Sequence, residues 1–253
     1  MSKSKVLVGL VLAIYLCFIV FEISDEFNIA FLLDSVMIPV ITAAYIMFCK
    51  KKNKYFLLFL IFFSISEILG VVTHYILYYN LPYKDRLIYY EYDYYIGSAL
   101  YIIGYAFLLV KVGKEISLKY VLRNFKIHVI VLTALNIYLI YVLQLIVESE
   151  LEYEYEYHME LVYNVVMLLL LSIAMLTYFY RDNKKSLYLF IGALFIVFSE
   201  VLDVAYNYID QRSLLNILGT TLALCAFYFF YQQALLKHPV NTDNERFALI
   251  DEY

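Results

Sequence analysis

Long apolar runs alternate with short charged clusters along the whole chain. The runs are continuously apolar rather than alternating with a period of two, so they are typical of helices and not of membrane β-strands. Each is long enough for a helix of roughly 18–23 residues to cross the hydrocarbon core. The pattern predicts eight transmembrane helices: Val6–Ile23, Ile29–Cys49, Tyr55–Tyr78, Tyr94–Val112, Ile127–Val147, Leu161–Tyr180, Leu187–Tyr208 and Leu214–Leu236.

The basic residues predict how these helices are oriented, because Lys and Arg beside a span resist translocation. With eight spans, fifteen of the basic residues that flank them fall on one side, and the other side has only Lys84, Arg86 and Arg212. An odd number of spans would scramble this distribution. We therefore expect a multi-pass protein of the cell (inner) membrane with its N- and C-termini in the cytoplasm.

Composition and charge support a membrane protein and exclude other classes. Of the 253 residues, 64% are hydrophobic and 17% charged, which is too apolar for an ordinary soluble domain. The net charge of -4 and the Glu-rich segment 148–160, interpreted as a solvated loop, argue against nucleic acid as a partner. The linker 113–126 is either a short amphipathic helix or a plain loop. A transmembrane domain over 1–238 and a polar cytoplasmic tail over 239–253 are expected.

An internal repeat organises the spans. The segment 66–71, Ser-Glu-Ile-Leu-Gly-Val, aligns with the segment 199–204, Ser-Glu-Val-Leu-Asp-Val, and the helix after each contains a Gly among small residues. Four spans separate equivalent positions, so the copies run in the same direction about an axis along the membrane normal. The all-α fold is thus expected to be two parallel repeats, with halves of about 1–112 and 113–238.

Four acidic residues lie well inside spans, away from the span ends: Asp34, Glu67, Glu200 and Asp203. Burying an ionisable group in a membrane costs a few kcal/mol, which makes such residues functional candidates. Glu67 and Glu200 lie about twelve and thirteen residues from the cytoplasmic starts of their helices, roughly 18–20 Å deep. We expect them to face each other across a central cavity, with Asp203 on the same helix face as Glu200. The alternative is that these acids only bridge and pack the helices.

Other candidate chemistry is sparse. Ser66 and Ser199 precede the two glutamates, and their hydroxyls are expected to bond either to the acids or to their own helix backbones. The four histidines show no metal-ligand spacing, and the three cysteines suit apolar packing. No phosphate-binding glycine loop or nucleophile elbow occurs. We predict no metal site and no cofactor.

At its acidic motifs the sequence resembles the YhhN family, whose animal members include lysoplasmalogenases. The motifs read Phe-Ser-Ile-Ser-Glu-Ile-Leu over 63–69 and Gly-Ala-Leu-Phe-Ile-Val-Phe-Ser-Glu over 192–200, and a Tyr-rich stretch over 227–236 ends the last helix. The likeness covers spans two to eight and is stronger in the second half. Both family aspartates are Glu here, and Asp34, ahead of Pro39, stands about where the family has a lysine.

The resemblance implies a hydrolase that cleaves the vinyl-ether bond of a lysoplasmalogen, with a membrane lipid or lysolipid as substrate. That reaction needs one protonated carboxyl and one group that stabilises charge and directs water. We expect Glu67 and Glu200 to form this catalytic pair and Asp203 to assist, with Asp34, Ser66 and Ser199 as further supporting candidates. Two alternatives stay open: a small-solute or proton-coupled transporter, and a non-catalytic lipid-binding membrane module. The scarcity of Pro and Gly within the spans favours the hydrolase over a carrier with broken helices.

Overall fold

The computed structural model of the protein describes residues 3–49, 52–77, 83–114, 116, 118–148, 151 and 155–236. Within these residues the chain forms α-helices, short connections and one π-helical turn, Thr73–Leu77, which extends α3. The α-helices are α1 Lys3–Ile23, α2 Phe27–Phe48, α3 Lys54–Val72, α4 Tyr83–Gly113, α5 Leu118–Asn124, α6 Lys126–Glu148, α7 Glu156–Arg181, α8 Lys184–Tyr208 and α9 Ser213–Leu235.

Seven of these helices, α2 to α4 and α6 to α9, are long and apolar enough to cross a membrane. The fold is therefore an all-α, multi-pass membrane protein, as predicted. The first predicted span coincides with α1, of which the apolar part Val8–Ile23 is described. An eighth span stays a prediction. The predicted tail over 239–253 lies outside the described residues.

Two differences from the predicted elements concern the connections. The linker between α4 and α6 contains the short helix α5, so of the two predicted alternatives, a short helix and a plain loop, the helix is the one observed. The segment 148–160 is only partly a loop, because α7 begins at Glu156, five residues before the predicted span. Glu156 is 4% exposed, so the interpretation of this whole segment as solvated is wrong.

Asparagine caps begin the two helices that carry the acidic motifs. The Asn53 side chain accepts hydrogen bonds from the backbone N–H groups of Tyr55 and Phe56 at the start of α3. Asn183 accepts one from the N–H of Ser186 at the start of α8, where the Ser186 hydroxyl completes a capping box. Counted from these caps, Glu200 lies about three residues, or roughly 4.5 Å, further along its helix than Glu67. The matched depth of the two acids in the membrane stays a prediction.

The helices pack in the same order in both halves of the chain. Helices α2, α3 and α4 contact one another in sequence, as do α7, α8 and α9, while α1 packs on α2 and α6 packs on α7. The halves meet where α4 packs on α7 and where the rings of Tyr45 and Tyr231 bring α2 to α9. The duplicated unit stays a prediction, and these matching contacts support it.

Equivalent serines link neighbouring helices in each half. The Ser66 hydroxyl donates to the Gly97 carbonyl at 3.1 Å, and the Ser199 hydroxyl donates to the Gly219 carbonyl at 2.9 Å. The prediction that these hydroxyls bond to the acids or to their own backbones is wrong, because the glycines let the next helix approach closely enough to supply the acceptor. The serines therefore tie α3 to α4 and α8 to α9.

A buried aromatic layer lies on the predicted cytoplasmic side of the acids. Phe59 is at its centre, with ring centroids 5.6 Å from those of Phe63 and Phe227 and 6.1 Å from that of Phe230. Helix α8 approaches this layer closely, since a Cβ atom at Gly192 would lie 2.6 Å from the Phe230 ring. The layer joins residues of both halves and forms a floor beneath the polar centre of the bundle.

Candidate functional site

A cavity of about 1110 Å³ lies between the two halves of the bundle. At one end it is lined by residues at the helix termini opposite the Lys-rich side, among them Asn28 and the exposed Gln211. At the other end it reaches Phe63 and Phe227 of the aromatic floor. Its volume is sufficient for a small amphiphile and lies at the upper end of ordinary ligand pockets.

All four acids predicted inside the spans line this cavity. Glu67 comes from α3 in the first half, and Glu200 and Asp203 come from α8 in the second. Glu67 lies close enough to Asp34 and Glu200 for their charges to interact, and Asp203 interacts with the other three acids. The arrangement brings carboxyl groups from both halves into one polar centre, where proton transfer between a ligand and a side chain is chemically feasible.

Tyrosine hydroxyls hold the two central glutamates. Tyr101 donates to Glu67 Oε1 at 2.9 Å, and Tyr105 donates to Glu200 Oε1 at 2.5 Å. Tyr163 of α7 is a second hydrogen-bond partner of Glu200. Sequence reasoning missed these residues because tyrosine is abundant throughout the chain. The available signal was the four-residue spacing of Tyr101 and Tyr105, which puts both hydroxyls on one face of α4.

The supporting candidates differ in their positions. Asp34 accepts a hydrogen bond from the Thr220 hydroxyl at 3.2 Å, and this contact joins α2 to α9. Asp203 packs so closely against α9 that a Cβ atom at Gly219 would lie 2.5 Å from its Oδ1 atom. Ser199 lines the cavity while its hydroxyl bonds to the Gly219 carbonyl. Ser66 is not among the described residues that line the cavity.

Two acids that were predicted to lie in a solvated loop also line the cavity. Glu156 accepts a hydrogen bond from the Tyr208 hydroxyl at 2.8 Å, and Glu160 accepts one from Tyr94 at 2.9 Å. They are the first residues of α7 to face inward, and tyrosines of the neighbouring helices cover them. The cavity is therefore acidic from its centre to its outer end.

With Glu22 and Asp93, the described lining contains eight carboxyl groups and no Lys or Arg. Its one histidine, His74, forms a 3.0 Å hydrogen bond between Nε2 and Asn28 Oδ1. Nowhere in the described part of the chain do three His, Cys, Asp or Glu side chains converge as metal ligands do. Beyond the four central acids, the carboxyl groups are spread along the walls of the cavity toward its outer end.

Comparison of the chain with known protein families, with curated proteins and with solved structures finds no match.

Proposed function

We propose that this protein is a membrane-embedded hydrolase that cleaves the vinyl-ether bond of a lysolipid. The observation that carries the proposal is the convergence of Glu67 and Glu200, one from each half of the bundle, on the wall of one cavity. The likeness to the YhhN family supports the same reaction and implies a lysoplasmalogen as substrate. We further propose that the protein lies in the cell (inner) membrane with both termini in the cytoplasm, so that the cavity faces outward.

The reaction suits a pair of carboxyl groups. One glutamate donates a proton to the β-carbon of the vinyl ether, and the double bond becomes an oxocarbenium ion that the other, ionised glutamate stabilises. Water adds to this cation and gives its proton back to a carboxylate. The resulting hemiacetal collapses to a fatty aldehyde and an alcohol, so one water is consumed for each ether bond broken.

The surroundings of the pair support this chemistry. Tyr101 and Tyr105 each donate to one oxygen of a glutamate and so fix the orientation of both carboxyl groups at the cavity wall. Asp203 lies within electrostatic range of Glu200 and Glu67, so its carboxyl group can influence the charge of the pair. The Phe63–Phe227 contact, at 5.3 Å between centroids, closes the cavity beneath the acids and would hold an alkyl chain.

The test is release of fatty aldehyde from a lysoplasmalogen by the purified protein. We expect turnover by the wild type and a loss of at least about a hundredfold in Glu67→Gln and Glu200→Gln, in line with general acid–base contributions. Glu148→Gln is the matched control, because this Glu is exposed at the end of α6 and does not line the cavity. Equal turnover in all variants would refute the paired-acid mechanism, and no aldehyde from the wild type would refute hydrolysis of this substrate.

A proton-coupled carrier of a small solute is the second candidate, because the cavity joins the repeat halves and is lined by acids from both. Carriers bind substrate near mid-membrane between repeats. Transport would appear in sealed proteoliposomes as solute uptake that depends on a pH gradient. A hydrolase without carrier activity would produce aldehyde but show no gradient-driven uptake.

A further inference from the structure

The outer end of the cavity contains a buried acid with unused hydrogen-bonding capacity. Glu22, near the end of α1, lines the cavity and is 1% exposed. Its Oε1 atom has no hydrogen-bond partner among the described residues. A buried acceptor without a donor costs about 1–3 kcal/mol, so a ligand that donates to it would recover that energy.

The groups around Glu22 make this end of the cavity more favourable for a positively charged ligand. Its carboxyl group lies close enough to Asp34 for their charges to interact, and Tyr206 is also within electrostatic range. No described Lys or Arg lines the cavity to balance these acids. An anionic group would be repelled at this end, whereas a cation would neutralise charge that the protein leaves uncompensated.

The residues that line the cavity favour an organic cation over a metal ion. No three potential metal ligands converge in the described residues, so one small ion would leave most of the acids unpaired. The rings of Phe27 and Phe31 line the same end of the cavity, and aromatic faces attract ammonium groups. Deeper in, Phe63, Ile196 and Phe227 offer an apolar wall for an alkyl chain.

We propose that the outer end of the cavity, defined by Glu22, Asp34 and Phe31, binds the protonated primary amine of a long-chain amphiphile that carries no phosphate. The ammonium group donates to Glu22 Oε1, and the alkyl chain extends toward the aromatic floor. The ligand thus differs from the phosphate-bearing headgroup that the family likeness implies. The inference rests on the proposed function only for the location of the site, and it requires no turnover.

Binding of short, water-soluble probes to the full chain in neutral nanodiscs tests this site by isothermal titration. The probes are hexylammonium, hexyl phosphate and hexanol, which share one alkyl chain and differ in headgroup charge. We expect hexylammonium to bind at least tenfold more tightly than either of the others. Glu22→Gln should weaken hexylammonium binding about tenfold, the value of one lost charge-assisted hydrogen bond, and leave hexanol binding unchanged.

Glu26→Gln is the matched control, since this glutamate lies four residues further along the chain at the N-cap of α2, is exposed and is not among the described residues that line the cavity. Thermal unfolding separates binding from folding. Without ligand, Glu22→Gln should be at least as stable as the wild type, because it removes a buried charge that no cation balances. Hexylammonium should raise the Tm of Glu22→Gln less than that of the wild type. Asp34→Asn provides a second variant at the same end and should also weaken the amine selectively.

Several results would overturn the proposal: equal affinity for hexyl phosphate and hexylammonium, unchanged amine affinity in Glu22→Gln, or displacement of hexylammonium by millimolar Mg²⁺ or Ca²⁺. The outcome is separable from that of the proposed hydrolysis. Amine binding without aldehyde release would refute only the hydrolase, and aldehyde release without amine preference would refute only the amine site.

Discussion

At each central glutamate one carboxyl oxygen accepts a hydrogen bond from a tyrosine of α4, and the same helix face supplies both donors. Tyr105 is fully buried and is not among the described residues that line the cavity, so it acts on a ligand only through Glu200. It is a positioning residue whose removal should change the geometry of the acid rather than the shape of the pocket.

Tyr105→Phe should lower kcat for aldehyde release roughly tenfold to a hundredfold while KM changes little, because a hydrogen bond to a charged group contributes about 1.5–3 kcal/mol. Steady-state kinetics with a lysoplasmalogen measure both parameters. Tyr138→Phe is the control, since that side chain is 62% exposed on α6. A rise in KM with unchanged kcat would show that Tyr105 contributes to binding and not to positioning.

Gly219 controls the position of Asp203. A Cβ atom at Gly219 would lie 2.5 Å from Asp203 Oδ1, so Gly219→Ala must displace the carboxyl group or separate α8 from α9. We expect a loss of about 1–3 kcal/mol in the free energy of unfolding and reduced turnover. Gly9→Ala, where no atom lies within 4 Å of the added Cβ, should cost no stability. Equal thermal stability of both variants would contradict this packing.

The acids could be predicted from the sequence at this scale because a carboxyl group inside an apolar run is costly and therefore conspicuous. Their tyrosine partners could not, since Tyr also suits lipid-facing and interfacial positions and twenty-nine of them occur in the chain. For Glu22, the sequence indicates only an acidic residue near the charged end of the first span. Its burial follows from the packing of α1 beside α2 and α9, which one span's pattern does not encode.

At the scale of helices, the two Ser-to-Gly hydrogen bonds fix the register of α3 on α4 and of α8 on α9. Both bring an acid to the wall of the cavity, one residue after the serine. The short motif is therefore a packing device as well as a candidate site, which explains why Ser and Glu recur together in the two halves.

Ser66→Ala and Ser199→Ala should each lower the free energy of unfolding by about 0.5–1 kcal/mol, the usual value of an interhelical hydrogen bond in membranes. The two sites lie on different helix pairs, so the double variant should lose about the sum. Unfolding in a denaturing detergent measures all three. Ser24→Ala is the control, because its exposed hydroxyl bonds locally to the Val20 carbonyl, four residues earlier in the chain. A control loss as large as that of Ser199→Ala would refute the interhelical role.

Helix type was easier to predict than helix ends. Helix α4 extends from Tyr83 and α7 from Glu156, both several residues before the predicted spans. The polar residues at these starts were interpreted as loop because a hydropathy pattern identifies helices by their lipid-facing apolar residues. Glu156 and Glu160 instead face an internal cavity, where they accept hydrogen bonds from Tyr208 and Tyr94. A polar residue that faces the interior lowers hydropathy without ending the helix.

At the scale of the whole molecule, the cavity has two chemically different ends. The aromatic floor closes it on the Lys-rich side, and the acids extend from there to the helix termini on the opposite side. If the positive-inside distribution sets the orientation, the acidic end opens away from the cytoplasm. A cationic amphiphile would then enter from the outer leaflet or the outer solution, and its chain would lie toward the bilayer centre.

Cysteine labelling in intact cells tests this orientation. In a background with Cys17, Cys49 and Cys225 replaced by Ala, Gln211→Cys lies at the acidic end, and Lys52→Cys lies in the basic loop between α2 and α3. Both positions are exposed and both lie outside helices, so reagent access depends on the side of the membrane. We expect a membrane-impermeant maleimide to label Gln211→Cys in intact cells and Lys52→Cys only after permeabilisation. The reverse pattern would place the cavity mouth in the cytoplasm. Five long helices, α3, α4 and α6 to α8, lie between the two positions, and an odd number of crossings puts the positions on opposite sides of the membrane. Labelling of both in sealed cells would therefore contradict this topology, because it requires an even number of crossings between them.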